Sequence, residues 1–321
     1  MKFGLVYDDL LEHQLATPLL DKKGKDTLWE TVFYQPERTE KLYQSLTYIY
    51  VMLKNEGDFS SQEHLGVDRI DYCSFGNSNP FRIRIINKFN DNYDYFYIKT
   101  ADASRVYGLE LEHLLSPNRI SYYVDDNTLI EEHIAGIPGD MFISTIMNTK
   151  QTNKVRLAKE FVKFNERCFV RLLGDMRSYN YVMDITPDFD DVQYRIRAID
   201  FDQQCYEGRK NLYLPQYFKE NFPLVELGMQ LINEKTVRQY QAEERSLVAR
   251  RLIAARYRLK DLIDCMEQDN ISTPEKVKQL REDLAKHHKN DDFLELGNMG
   301  EILKLQLKST LAKHIRKVRN I

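Results

Sequence analysis

Leu173-Gly174-Asp175-Met176-Arg177-Ser178-Tyr179-Asn180-Tyr181-Val182-Met183, followed downstream by Ile199-Asp200-Phe201-Asp202, is the stretch on which the reading of this 321-residue chain turns. Asp175 and Asn180 are separated by four residues. Arg197-Ala198-Ile199-Asp200-Phe201 reads as an apolar strand that ends in a carboxylate. One Asp-x4-Asn match means little, because surface loops are rich in both residues. Two acidic motifs in this order, with a strand pattern between them, supply hard oxygen donors that suit magnesium and a carboxylate that can handle a proton.

Moving a phosphoryl group needs cations over the phosphates and a carboxylate aimed at the attacking hydroxyl, with little covalent work from the protein. At Gly174-Asp175 through Asn180 and at Ile199 through Asp202 the chain resembles the protein-kinase-like superfamily. The resemblance is closest to the aminoglycoside phosphotransferase and atypical small-molecule kinase branches. It implies a two-lobed α+β fold, with an antiparallel small-lobe sheet and a mainly helical large lobe, and it implies ATP and Mg2+ as cofactors. By the same resemblance Asp175 is the catalytic base, and Asn180 and Asp200, with Asp202 beside them, are the metal ligands. Two departures are visible. Leu173 stands where the family usually has His, and Asp202 stands where protein kinases have the Gly of Asp-Phe-Gly.

The resemblance demands further parts upstream, in order. Ile70 to Ser74 and Phe81 to Phe89 read as a hairpin around the Phe75 to Pro80 turn. That turn occupies the place of the phosphate-covering loop, with Gly76 giving backbone freedom and Ser78 a hydroxyl; an ordinary hairpin turn would use the same residues. Tyr93 to Thr100 is an aromatic and β-branched strand. Its Tyr97-Ile98-Lys99 is similar to the kinase Val-Ala-Ile-Lys, which makes Lys99 the phosphate-binding lysine. A helix from Arg105 to Leu115, N-capped by Ser104, follows. Glu110 is the preferred partner for Lys99, with Glu112 as the alternative. Strands over Arg119 to Val124 and Thr128 to Ile134 lead to Gly136, like the family's hinge, where backbone groups near Glu132 and Ile134 would hold adenine. His133 is read as structural or exposed.

Residues 1–65 are expected to form a helical extension, 66–134 the small lobe, and 135–321 the helical large lobe with a C-terminal helical extension. Asp21 to Asp26 reads as a solvated turn. Asn153 to Arg167 has helical spacing and leads into the catalytic loop. Thr236 to Gln268 reads as one long charged helix, and Ser272-Thr273-Pro274-Glu275 starts another. The last helix, Leu294 to Val318, carries Lys304, Lys308, Lys313, Arg316, Lys317 and Arg319, a solvated face or a contact for a phosphate-rich or protein partner.

At 42% hydrophobic residues the chain can bury a core or two, and its net charge of −3 gives no global field for nucleic acid. No run reaches the roughly 18 apolar residues of a membrane span, and the start lacks a signal-peptide apolar block, so the expected place is cytoplasmic. Cys73, Cys168, Cys205 and Cys265 lack paired spacing, and His287-His288 alone makes a poor zinc site. The partners implied are a nucleotide and a hydroxyl-bearing acceptor, small molecule or protein. The competing readings are a non-catalytic kinase-like (pseudokinase) binding module and a kinase-like enzyme that transfers AMP.

Overall fold

Alternating side chains build one part of this chain and helical stripes the other. The computed structural model describes residues 4–54, 58–75, 78–188 and 191–319. By internal contact the chain divides into two units, Met1–Asp102 with Ile120–His133, and Ala103–Arg119 with Ile134–Ile321. The expected α+β class is met, with an antiparallel sheet in the first unit and mainly helix in the second.

The first unit contains α1 (Tyr7–Leu11), β1 (Leu15–Leu20), β2 (Asp26–Phe33), α2 (Pro36–Lys54), β3 (Leu65–Tyr72), β4 (Phe81–Asn87) and β5 (Tyr93–Thr100). It is completed by β6 (Tyr122–Asp125) and β7 (Thr128–Glu132). The seven strands form one sheet in the order β1-β2-β3-β4-β5-β7-β6. Strand alternation decides its two faces. Phe81, Ile83 and Ile85 of β4 and Phe96 and Ile98 of β5 are buried on one side, against Leu42, Leu46, Ile49 and Leu53 of α2. Each such side chain contributes about 1.5–3 kcal/mol on burial. Arg82, between Phe81 and Ile83, points the other way, where it and Arg69 hold the fully buried Asp71 at 2.8 and 2.7 Å. Its guanidinium also lies 4.3 Å from the Trp29 ring centre.

Within the span expected as a helical extension, α1 and α2 are helical, but Leu15–Leu20 and Asp26–Phe33 form a β-hairpin between them, and β2 pairs with β3 as part of the sheet. The Asp21 to Asp26 turn closes that hairpin: Asp21 accepts from the Lys23 and Lys25 amides, and Gly24 takes φ +77°. Thr27, Trp29, Thr31 and Phe33 carried the strand signal, being β-branched or aromatic at alternate positions.

The second unit holds α3 (Ala103–Leu115), β8 (Ile137–Pro138), α4 (Gly139–Thr145), α5 (Lys154–Arg171), β9 (Tyr181–Asp188) and β10 (Asp191–Ala198). After these come α6 (Phe222–Leu231), α7 (Glu234–Ala254), α8 (Arg256–Glu267), α9 (Pro274–His288) and α10 (Met299–Arg319). β10-β9-β8 form a small antiparallel sheet. α3, expected in the small lobe, belongs here because Leu111, Leu114 and Leu115 enter a core shared with Phe169, Val248, Leu259 and Ile263. Ser104 lies inside α3 rather than capping it. The single helix expected over Thr236 to Gln268 breaks at Ala255, whose φ of −101° and ψ of 17° leave the helical range. α9 begins as expected, with Pro274 at its first turn and the Thr273 side chain accepting from the Lys276 amide. The cysteines are all unpaired, and no described helix is long and apolar enough to cross a membrane.

Candidate functional site

α5 runs from the Asn153 cap into the loop that carries Asp175. The helix ends at Leu172, whose left-handed φ of 55° turns the chain out of helical geometry. Leu173 is fully buried and bridges to Gln204. Gly174 then passes so close to the following segment that a Cβ would sit 3.0 Å from the Gln203 carbonyl oxygen, and its own amide donates to that oxygen at 3.1 Å. The Asp175 amide donates to Leu212 O, and Asp175 takes φ 52°. The loop is therefore fixed through its backbone before any side chain acts.

Asn180 joins the two motifs. Its Nδ2 donates to Asp175 O at 2.7 Å and faces Asp175 Oδ2 at 3.3 Å, while its carbonyl accepts from the Ile199 amide at 3.0 Å. The hairpin register explains this, because Tyr181 pairs with Ala198 and so brings residues 180 and 199 side by side. Asp200 follows at the strand exit, and its Oδ1 is buried without a hydrogen-bond partner among the described residues. Phe201 is 2% exposed and lies over Gly108 of α3, where a Cβ would come within 2.8 Å of it.

Burial raises the Asp175 carboxyl above its usual value, and the neighbouring charges of Asp200 and Glu207 push the same way. Arg177 opposes them: its Nε donates to Asp175 Oδ1 at 2.8 Å, and its other arm reaches Glu220 at 3.0 Å. Asp202 Oδ2 lies 3.5 Å from the buried guanidinium of Arg105, so this candidate ligand has a cationic neighbour. Sequence reasoning missed Arg105, Arg177 and Glu220. Arg177, two residues after Asp175, could have been found from its spacing; the other two are set by tertiary packing.

Among the described residues no three His, Cys, Asp or Glu side chains cluster as a metal site. Magnesium does not require that, since it is commonly held by one or two carboxylates together with substrate phosphates and water. A buried carboxylate oxygen on Asp200 that has no hydrogen-bond partner among the described residues fits such an ion.

In the first unit, Lys99 is 8% exposed and its Nζ lies 2.7 Å from Glu131 Oε2. Lys99 is paired with Leu129 across β5 and β7, which places Glu131, two residues on, on the same face. Glu131 was not singled out from sequence because it depends on that register. Glu132 is engaged with Lys54 at 3.3 Å and accepts from the Ser121 amide, and its own amide donates to Ser121 O. His133 meets the Tyr97 hydroxyl at 3.2 Å and is held below its ordinary pKa by burial, as suits the structural role expected of it. Ser78 is half-buried; Gly76 lies outside the described residues. In the second unit, Glu110 meets Arg258 at 3.0 Å, Glu112 is buried against Arg171, and Ile134 is 7% exposed.

No family model matches the chain, and no curated protein sequence matches it. Among solved structures it is similar to Rad53 residues 1–466 in complex with AMP-PNP, at 13% identity and a TM-score of 0.29, over 68% of this chain and 66% of that one. It is also similar to the Neurospora crassa PAN3 pseudokinase, at 8% identity and a TM-score of 0.21, over 89% of this chain and 72% of that one. The chain thus spans just under two thirds of the Rad53 chain.

Proposed function

We propose that the chain is an ATP-dependent phosphotransferase that moves the γ-phosphoryl group to a hydroxyl of a small molecule or protein. The observation that carries the reading is the junction at Asn180, which holds Asp175 on one side and the Ile199-Asp200 strand exit on the other. Asp175 would accept or orient the proton of the attacking hydroxyl; a raised carboxyl pKa favours that role, because a base works best when its pKa approaches the working pH. Asn180 and Asp200 would hold magnesium, which when bound would neutralise charge on the phosphates. Asp202, next to Arg105, would act from a second position. Lys99 would bind phosphate with Glu131 holding it, and Gly76 and Ser78 would cover the phosphates. Glu132 and Ile134 would flank adenine, and Glu110, which meets Arg258 at 3.0 Å, would serve as a further partner for Lys99.

The test is ADP release from ATP and magnesium across a panel of hydroxyl acceptors, with the D175N variant beside the parent chain. The expected result is a loss of on the order of 10²-fold or more in transfer with nucleotide binding retained, the size typical of a positioned base. Unchanged transfer by D175N refutes the assignment. Release of pyrophosphate with AMP left on the acceptor, in place of ADP, would favour the AMP-transfer reading.

A second reading, a kinase-like binding module without catalysis, draws support from Arg177 on Asp175 Oδ1 and from Arg105 beside Asp202. Magnesium-dependent stabilisation of the chain by ATP in a melting assay opposes it, since a ligand that binds the folded state raises the melting temperature.

A further inference from the structure

Two adjoining cavities lie along α5 and α7 in the second unit, of about 280 and 480 Å3, and they share Lys163. The first is bounded by α5, the β9-β10 hairpin and Tyr240; the second by α5, α7 and α10. Lys159 and Lys163, one helical turn apart, both stand over the Tyr240 ring, at 5.2 and 5.3 Å from its centre. Arg195 joins them at one end and Arg250 and Lys317 at the other.

Charge in this groove is one-sided although the chain as a whole carries −3. Of the two carboxylates that line it, Glu160 is turned inward, accepting from Arg167 at 2.8 Å and from the Ile196 amide at 3.1 Å. Glu243 meets Lys163 at 3.3 Å, but as a pair 42% and 28% exposed it is screened by water and contributes little. His314 is held below its ordinary pKa, first by burial and then by Arg245, Lys317 and Lys313. The floor of the second cavity is apolar, with Ala242 and Leu247, and Leu247 is 40% exposed. From Tyr240 to Arg250 the groove follows α7 for about 15 Å, at about 1.5 Å per residue.

We infer that this groove docks an acidic peptide segment of a partner protein, with an apolar side chain seated near Leu247 and carboxylates on either side meeting Lys159, Lys163, Arg250 and Lys317. Complementary charge steers such a segment and the apolar anchor supplies residence. Single-stranded nucleic acid fits less well, because stacking needs an open aromatic face and two ammonium groups stand over Tyr240. A membrane surface would call for a flat basic face rather than two cavities. The site is independent of Asp175 and of any phosphoryl transfer.

The experiment is fluorescence anisotropy on the full chain with a labelled peptide that has one Leu flanked by Glu on both sides. Its Lys-flanked counterpart, an oligo-dT strand and phosphatidylserine vesicles are the comparisons. The expected result is salt-sensitive binding of the Glu peptide, weakened about tenfold or more by K163E and by R250E, where tenfold corresponds to about 1.4 kcal/mol. Melting curves confirm that the variants fold; the neutral K163Q and R250Q give the same readout should the reversals unfold the chain. Equal binding of the two peptides, affinity unchanged in the variants, or tighter binding of oligo-dT or vesicles would each overturn the inference.

Discussion

Arg171→Met tests the buried ion pair that distinguishes Glu112 from Glu110 on α3. Arg171 and Glu112 meet in the interior of the second unit with side-chain exposures of 1% and 2%. Removing one partner of such a pair strands the other as a buried charge, at a cost of about 3–5 kcal/mol. The guanidinium Nε also donates to Arg167 O at 3.2 Å, so the upper part of that range is expected. With about 2–4 °C per kcal/mol for a domain of this size, the melting temperature should fall by about 8–20 °C. The paired change Glu112→Leu with Arg171→Met should recover most of the loss, because two apolar side chains leave no stranded charge. Glu110 lies at the surface with Arg258, so Glu110→Gln should cost under about 1 kcal/mol. Urea or thermal unfolding followed by circular dichroism measures all three. A single-variant loss below about 1 kcal/mol, or a double variant no more stable than the single, would refute this account of the pair.

Protonation of Asp175 should remove the base, so the acidic limb of the pH–rate profile should lie above an ordinary aspartate's value near 4. Arg177→Met takes away the cation that opposes this rise and should move the limb to higher pH; movement to lower pH contradicts the electrostatic assignment. Asp200→Asn should abolish magnesium-dependent stabilisation by ATP, with the ligand-free melting temperature unchanged or raised, since the carboxylate oxygen it alters is buried and unpartnered; retention of the magnesium effect argues against Asp200 as a ligand. Gly174→Ala places a methyl group 3.0 Å from the Gln203 carbonyl oxygen and should cost about 1–3 kcal/mol in denaturant unfolding; a neutral effect would mean that the loop yields easily.

The parts legible in the sequence were those set by local rules. Phe81-Arg82-Ile83-Arg84-Ile85 alternates with period two, and the sheet face it predicts is the face observed. The β1-β2 hairpin was hidden because β1 contains Pro18, which weakens a strand pattern, although an edge strand tolerates it. The break at Ala255 has neither Gly nor Pro to announce it. Glu112 and Arg171 are 59 residues apart, and nothing local separates Glu112 from Glu110. The neighbouring of Asn180 and Ile199 lies between these extremes, since it follows once the hairpin register of Tyr181 with Ala198 is known.

Gly174 N–H to Gln203 O, Asp175 N–H to Leu212 O and Ile199 N–H to Asn180 O are all backbone donations, and none uses a side chain of Asp175 or Asp200. The backbone at the two carboxylates is therefore held by main-chain hydrogen bonds, while the Asp175 carboxylate itself is also held by Arg177 Nε and faces Asn180 Nδ2. An Asp to Asn change keeps the size of the group and leaves every one of those main-chain bonds in place. D200N thus alters charge at nearly constant geometry, whereas D175N keeps the main-chain bonds but also weakens the Arg177 contact, so its melting curve must accompany its activity. Asn180 lacks that separation, because its side chain holds the Asp175 carbonyl. Asn180→Ala would disturb loop and ligand together, which makes it a weaker probe of chemistry than either aspartate.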